Sequence, residues 1–114
     1  YPIDLKRKLE KAMSIKGFKF IHTIIPCPTG WRFDPAKAVE VTKLGVDSWV
    51  TPLYEVEEGV LKVSRKAEAK PVNEYLTAQG RFRRLSEEQI AYIQSEVDDK
   101  RDDLMAQDGK KIIH

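Results

Sequence analysis

The fold reading turns on "FKFIHTIIPCPTGW", Phe18 to Trp31. Its first eight residues are aromatic and β-branched, broken only by Lys19 and His22. That density without regular polar alternation predicts a strand over Phe18–Ile25 covered on both faces, the pattern of a parallel sheet flanked by helices. Pro26, which has no N–H, ends it. Cys27, the only cysteine, follows between Pro26 and Pro28. Open α/β sheets gather their ligands just beyond the carboxyl ends of their strands, so its position there gives this thiol chemical interest. Two readings stay open: a small buried hydrophobe, or a fixed thiolate ligand of a metal. The prolines imply few N–H donors at the sulfur, a poor setting for an activated nucleophile. Without a CxxC pair, any co-ligands must come from elsewhere.

Outward from this stretch, Leu5, Leu9, Ala12 and Met13 recur at helical spacing, predicting a helix over Pro2–Lys16 with Gly17 as its stop. On the other side, Asp34-Pro35 is a cap followed by a first-turn proline. It opens a helix to Val46 that turns Ala38, Val39, Val41, Leu44 and Val46 towards a core. Two β-rich runs, Pro52–Val56 and Val60–Ser64, flank Glu57-Glu58-Gly59 and read as a hairpin. A short helix over Pro71–Gln79 takes Gly80 as its C-cap. Ser86 with Gln89 forms a capping box for a long last helix with a narrow stripe of Ile90, Ile93, Val97 and Leu104. Its rear half, "DDKRDDLMAQDG", is nearly all polar and reads as an extended arm on a partner or in solvent. The order is that of an α/β fold with a small β-hairpin and a helical C-terminal tail. Residues 1–50 end an α/β domain, 51–66 form the hairpin, and 67–114 are linker and tail.

With 114 residues, 41% hydrophobic and 33% charged, the chain is one domain or part of a larger one with a modest core. Twenty basic and 18 acidic residues leave a formal charge of +2, which gives no electrostatic case for nucleic acid or anionic lipid. No stretch is apolar for long enough to span a bilayer, and no signal peptide opens the chain. A single cysteine gives no sign of an oxidising compartment, so the expected location is cytoplasmic. The start at Tyr1-Pro2 rather than methionine suggests a fragment or processed chain.

Other candidates carry less. His22 reads as a satisfied core histidine and His114 as a free terminus. Glu55, Glu57 and Glu58 read as solvated turn charges, not a paired-carboxylate site. "RFRRL", Arg81–Leu85, is a basic cluster around an aromatic ring, better suited to an interface or pre-helix loop than to RNA. Trp31 and Trp49 read as core or interface anchors.

The strings "PCPTGW", "PLYEVEEG" and "KPVNEYLTAQGRF", in this order within Tyr1–Leu85, resemble the C-terminal part of the β subunits of the 2-oxoacid:ferredoxin oxidoreductase family. The resemblance implies oxidative decarboxylation of a 2-oxoacid, pyruvate foremost, to an acyl-CoA. It implies thiamine diphosphate with Mg2+, and 4Fe-4S clusters that pass electrons to ferredoxin. It implies that Cys27 is one cluster ligand, the other three lying in an upstream part of the subunit. The thiamine motif is absent from these residues, so the chain by itself is expected to be inactive. By the same resemblance it completes a thiamine-diphosphate-binding α/β domain, its hairpin and tail packing on other subunits. The alternatives are a relative acting on a branched-chain 2-oxoacid or 2-oxoglutarate, and a non-catalytic interaction module in which Cys27 is a core residue.

Overall fold

Proline at a first helical position sacrifices no hydrogen bond, and Pro2 opens helix α1 (Pro2–Ser14) in a computed structural model that describes all residues Tyr1–His114. None of its residues is buried. Gly17, at φ +104°, turns the chain after it.

Residues 18–25 then run extended but form no strand, which corrects the expected two-face-covered β element. No backbone–backbone hydrogen bond involves residues 16–26. A strand exists through the N–H and C=O groups of its neighbours, and no parallel neighbour is present. Phe18, Phe20 and Ile25 are accordingly 92%, 78% and 73% exposed. His22 is exposed too, not the core histidine that an interior strand would make it.

The body follows. Helix α2 (Pro28–Trp31) is a single turn. Asp34 Oδ1 accepts from the Ala36 N–H at 2.9 Å and caps a 3-10 turn (Pro35–Lys37) that runs into α3 (Ala38–Asp47), as Asp34-Pro35 predicts. Val41 and Val46 on α3 are buried. Val39 is 73% exposed, against expectation, because two residues from Val41 lies on the opposite side of a helix.

The hairpin forms as read, with β1 (Tyr54–Glu57) antiparallel to β2 (Val60–Val63) and Glu57 opposite Val60. Its two-residue loop has φ +51° at Glu58 and +82° at Gly59, the paired positive angles whose twist matches flanking strands. Helix α4 (Val72–Thr77) ends at Ala78. Gly80 is not its cap; it begins a separate 3-10 turn (Gly80–Phe82). Helix α5 (Glu87–Gln107) starts on the complete Ser86/Gln89 capping box.

Two small cores result. Val41, Val72, Tyr75 and Leu76 form the first, overlaid by Phe33, Ile90 and Ile93. Trp49, Leu61 and Val63 form the second, covered by Leu104 and Met105, and Val97 of α5 touches both. The rear half of α5 is therefore not a free arm. Asp108 accepts from the Val63 N–H at 2.8 Å and pairs with Lys66 at 2.7 Å. Beyond it, Leu61 exchanges hydrogen bonds with Gly109 and Lys110, and Lys111 bridges Val60.

The solvent-accessible surface is 8246 Å2, against about 6,400 Å2 for a compact monomer of this mass. Among the exposed apolar side chains are Ile3, Met13, Phe18, Phe20 and Ile25 of α1 and the extended segment.

Candidate functional site

The turn carrying Cys27 is built by its neighbours. Pro28 needs no N–H partner at a first helical position, so the chain turns into α2 directly after Cys27, which becomes its N-cap. The Gly30 N–H donates to Cys27 Sγ at 3.4 Å, and the Trp31 N–H donates to the Cys27 carbonyl at 2.8 Å. The flanking prolines therefore do not leave the sulfur without a donor: the turn supplies one from three residues on. Arg32 ends α2 in the left-handed conformation, φ +60°. Cys27 is a free, exposed thiol, which removes the reading of a buried core hydrophobe for this fold.

A second segment, fifty residues on, holds this turn from below. The Gly80 N–H donates to the Arg32 carbonyl at 2.8 Å. The Arg81 guanidinium lies 4.1 Å from the Trp31 ring centroid and 4.6 Å from that of Phe82. Arg81 Nε donates to Gln79 Oε1 at 2.9 Å, and the buried Gln79 amide donates to the Tyr75 carbonyl at 2.7 Å. Arg81, Arg83 and Arg84 of "RFRRL" are all exposed, and of the three only Arg81 is engaged, over Trp31 and Phe82 and with Gln79.

The remaining titratable candidates meet elsewhere. Lys11 reaches Glu55 at 2.9 Å and Glu57 at 2.8 Å, and Arg7 reaches Glu55 at 3.2 Å. Glu55 and Glu57 are therefore not simply solvated turn charges; they fasten α1 to the hairpin. Glu58 stays exposed in the turn. Burial pushes the Glu55 carboxyl up, but the hydrogen bonds from Lys11 and Arg7 outweigh it and leave it below the ordinary glutamate value. Its Oε2 is buried without a hydrogen-bond partner. Charge alternation gave no sign of this cluster, because its members lie more than forty residues apart.

Between α1, the extended segment and the hairpin runs an open groove of ≈ 970 Å3, lined by Leu5, Phe20, His22, Ile24, Leu53 and Tyr75 among others. No group of three His, Cys, Asp or Glu side chains, with His22, His114 or Cys27 among them, is placed to hold a metal ion. No helix is long and apolar enough to cross a membrane.

No family model matches the sequence. Individual relatives do. The chain is 46% identical over 101 residues to the pyruvate synthase subunit PorB of Methanocaldococcus jannaschii, covering 88% of this chain and 34% of that protein. It is 52% identical over 101 residues to PorB of Methanothermobacter marburgensis, covering 86% and 34%. It is 43% identical over 100 residues to the ketoisovalerate oxidoreductase subunit VorB of Pyrococcus furiosus, covering 85% and 32%. The chain thus spans about a third of the length of these relatives.

Proposed function

The chain is homologous over most of its length to the PorB and VorB oxidoreductase subunits, and on that premise we propose that it forms part of the β subunit of a 2-oxoacid:ferredoxin oxidoreductase. The observation that carries the proposal is the 46–52% identity to PorB subunits across a stretch that includes most of this fold. The reaction is oxidative decarboxylation of a 2-oxoacid, pyruvate foremost, to the acyl-CoA, with one-electron transfer to ferredoxin. Thiamine diphosphate, held with Mg2+ by the rest of the subunit, supplies carbanion stabilisation. A 4Fe-4S cluster supplies the first one-electron acceptor.

This chain's own contribution is Cys27. A cluster thiolate must be accessible to iron and benefits from N–H donors that offset its charge. Cys27 is exposed, and the Gly30 N–H is directed at its sulfur. The donor set here fits one corner of a cube, and three further thiolates come from outside residues 1–114. Residues 18–25 take part in a second way. Their apolar side chains project with no strand beside them, as expected of an interior strand of the thiamine-diphosphate-binding domain whose neighbours belong to the remainder of the subunit. The complex works in the cytoplasm.

Replacing Cys27 by alanine in the intact complex tests the assignment. The expected result is a loss of about four iron atoms per β subunit; unchanged iron content refutes it. A second reading, ketoisovalerate as substrate, is favoured by the 43% identity to VorB. Steady-state rates of the complex with pyruvate and with ketoisovalerate decide between them, and pyruvate is expected to be the faster.

A further inference from the structure

We infer that Gln79, Gly80 and Arg81 are positioning residues for the iron–sulfur ligand Cys27, acting through the turn that carries it. The inference rests on the reading of Cys27 as a cluster ligand and goes beyond it, since these three residues touch no metal themselves.

Four observations carry it. First, Arg32 is held at φ +60°. A non-glycine residue in that region stores strain and persists only where the surroundings fix it. The fixing bond is the Gly80 N–H to the Arg32 carbonyl at 2.8 Å. Second, that bond requires glycine, because a Cβ at position 80 would lie 2.9 Å from both the Arg32 carbonyl oxygen and its Cβ. Third, the Arg81 guanidinium lies over the Trp31 ring and also over that of Phe82, so the last residue of α2 is held by a cation over an aromatic face. Fourth, Arg81 is aimed by Gln79, which is only 1% exposed and is anchored on the Tyr75 carbonyl of α4. The path runs from the first hydrophobic core through Gln79 and Arg81 to Trp31. From there the Trp31 N–H to Cys27 carbonyl bond, at 2.8 Å, fixes the backbone of the ligand itself. Loss of a group that orients a metal ligand typically costs about 10–100-fold in metal affinity.

The test compares the intact complex with its Gly80→Ala, Arg81→Ala, Arg83→Ala and Cys27→Ala forms. Iron content, the EPR spectrum of the reduced clusters and resistance to an iron chelator are measured, with thermal melting and subunit composition as controls on folding. Gly80→Ala and Arg81→Ala are expected to assemble and to lose one cluster about tenfold faster under chelation. The EPR line shape of the cluster that remains in them is expected to change. Arg83, exposed in the same basic cluster, is expected to behave as wild type. Should Gly80→Ala fail to assemble, Arg81→Ala carries the comparison, because its side chain leaves the surface and not a core. Wild-type chelator resistance and spectra in Arg81→Ala overturn the inference, as does an equal effect from Arg83→Ala. Unchanged iron in Cys27→Ala refutes the ligand reading instead, so the two failures are told apart.

Discussion

Residues 18–25 and residues 54–63 are both rich in β-branched and aromatic side chains, yet only the second stretch forms a sheet. The difference lies in where each finds its partner. Tyr54–Glu57 has Val60–Val63 two residues away, joined by a Glu58-Gly59 turn whose positive φ angles bring the strands together at once. Phe18–Ile25 has no complementary stretch within reach and remains an extended segment with unpaired backbone. Strand-forming composition is thus a statement about what a segment does beside another strand. The pairing decides whether it becomes one.

The largest test of the comparison falls on the hairpin's anchor. Leu61, 3% exposed, packs with Trp49 and Val63 beneath Leu104 and Met105. Truncating it to alanine removes buried methyl groups and leaves a cavity in a core of three residues. A loss of about 3 kcal/mol is expected, read as a lower midpoint in urea unfolding, with the hairpin and the tail residues 109–112 loosening together in hydrogen exchange. If those residues keep their protection, the tail is held by something other than the hairpin.

What was legible in the sequence follows the same division. The Ser86/Gln89 box, the Asp34-Pro35 start and the Glu58-Gly59 turn each depend on residues within a few positions, and each formed as its residues dictate. Cys27 stood out for its place between prolines, and in the fold it is a free, exposed residue. What supports that turn was not legible, because no periodicity links Gly80 and Arg81 to Arg32 and Trp31. Gly80 read as a helix cap for the same reason. A glycine next to a helix end satisfies the local rule, and only the approach of a distant backbone reveals its other use. The polar rear of α5 misled similarly: three apolar side chains, Val97, Leu104 and Met105, suffice to seat it on a small core.

A middle-sized effect tests how firmly α1, the helix leading into the unpaired segment, is tied to the paired one. Glu55 accepts from Lys11 and Arg7, and Glu55→Gln is expected to cost about 1 kcal/mol, since both cations are partly solvated. The pH dependence has a definite sign. Burial raises the Glu55 carboxyl, but its cationic partners together lower it by more, so the folded value lies below the ordinary one. Its stabilisation is complete above the ordinary glutamate range and is lost as the pH falls through the lowered folded value. Asp108, lowered by Lys66 and by the Val63 N–H, contributes with the same sign. Acid titration of Glu55→Gln is expected to show a shallower loss of stability than the parent; parallel curves would remove Glu55 from the acid response.

The smallest expected effect is the most discriminating. Phe20 is 78% exposed and its backbone pairs with nothing, so Phe20→Ser should change the unfolding free energy of this chain by less than about 0.5 kcal/mol. In the intact subunit the outcome reverses if residues 18–25 become an interior strand. Burying a phenylalanine side chain is worth about 1.5–3 kcal/mol, and the same substitution then destabilises the assembled protein by a similar amount. Thermal melts of both forms, with and without the substitution, give the difference directly. Equal and negligible effects in the chain and in the subunit would mean that the segment never finds a partner, and its composition would then need another cause.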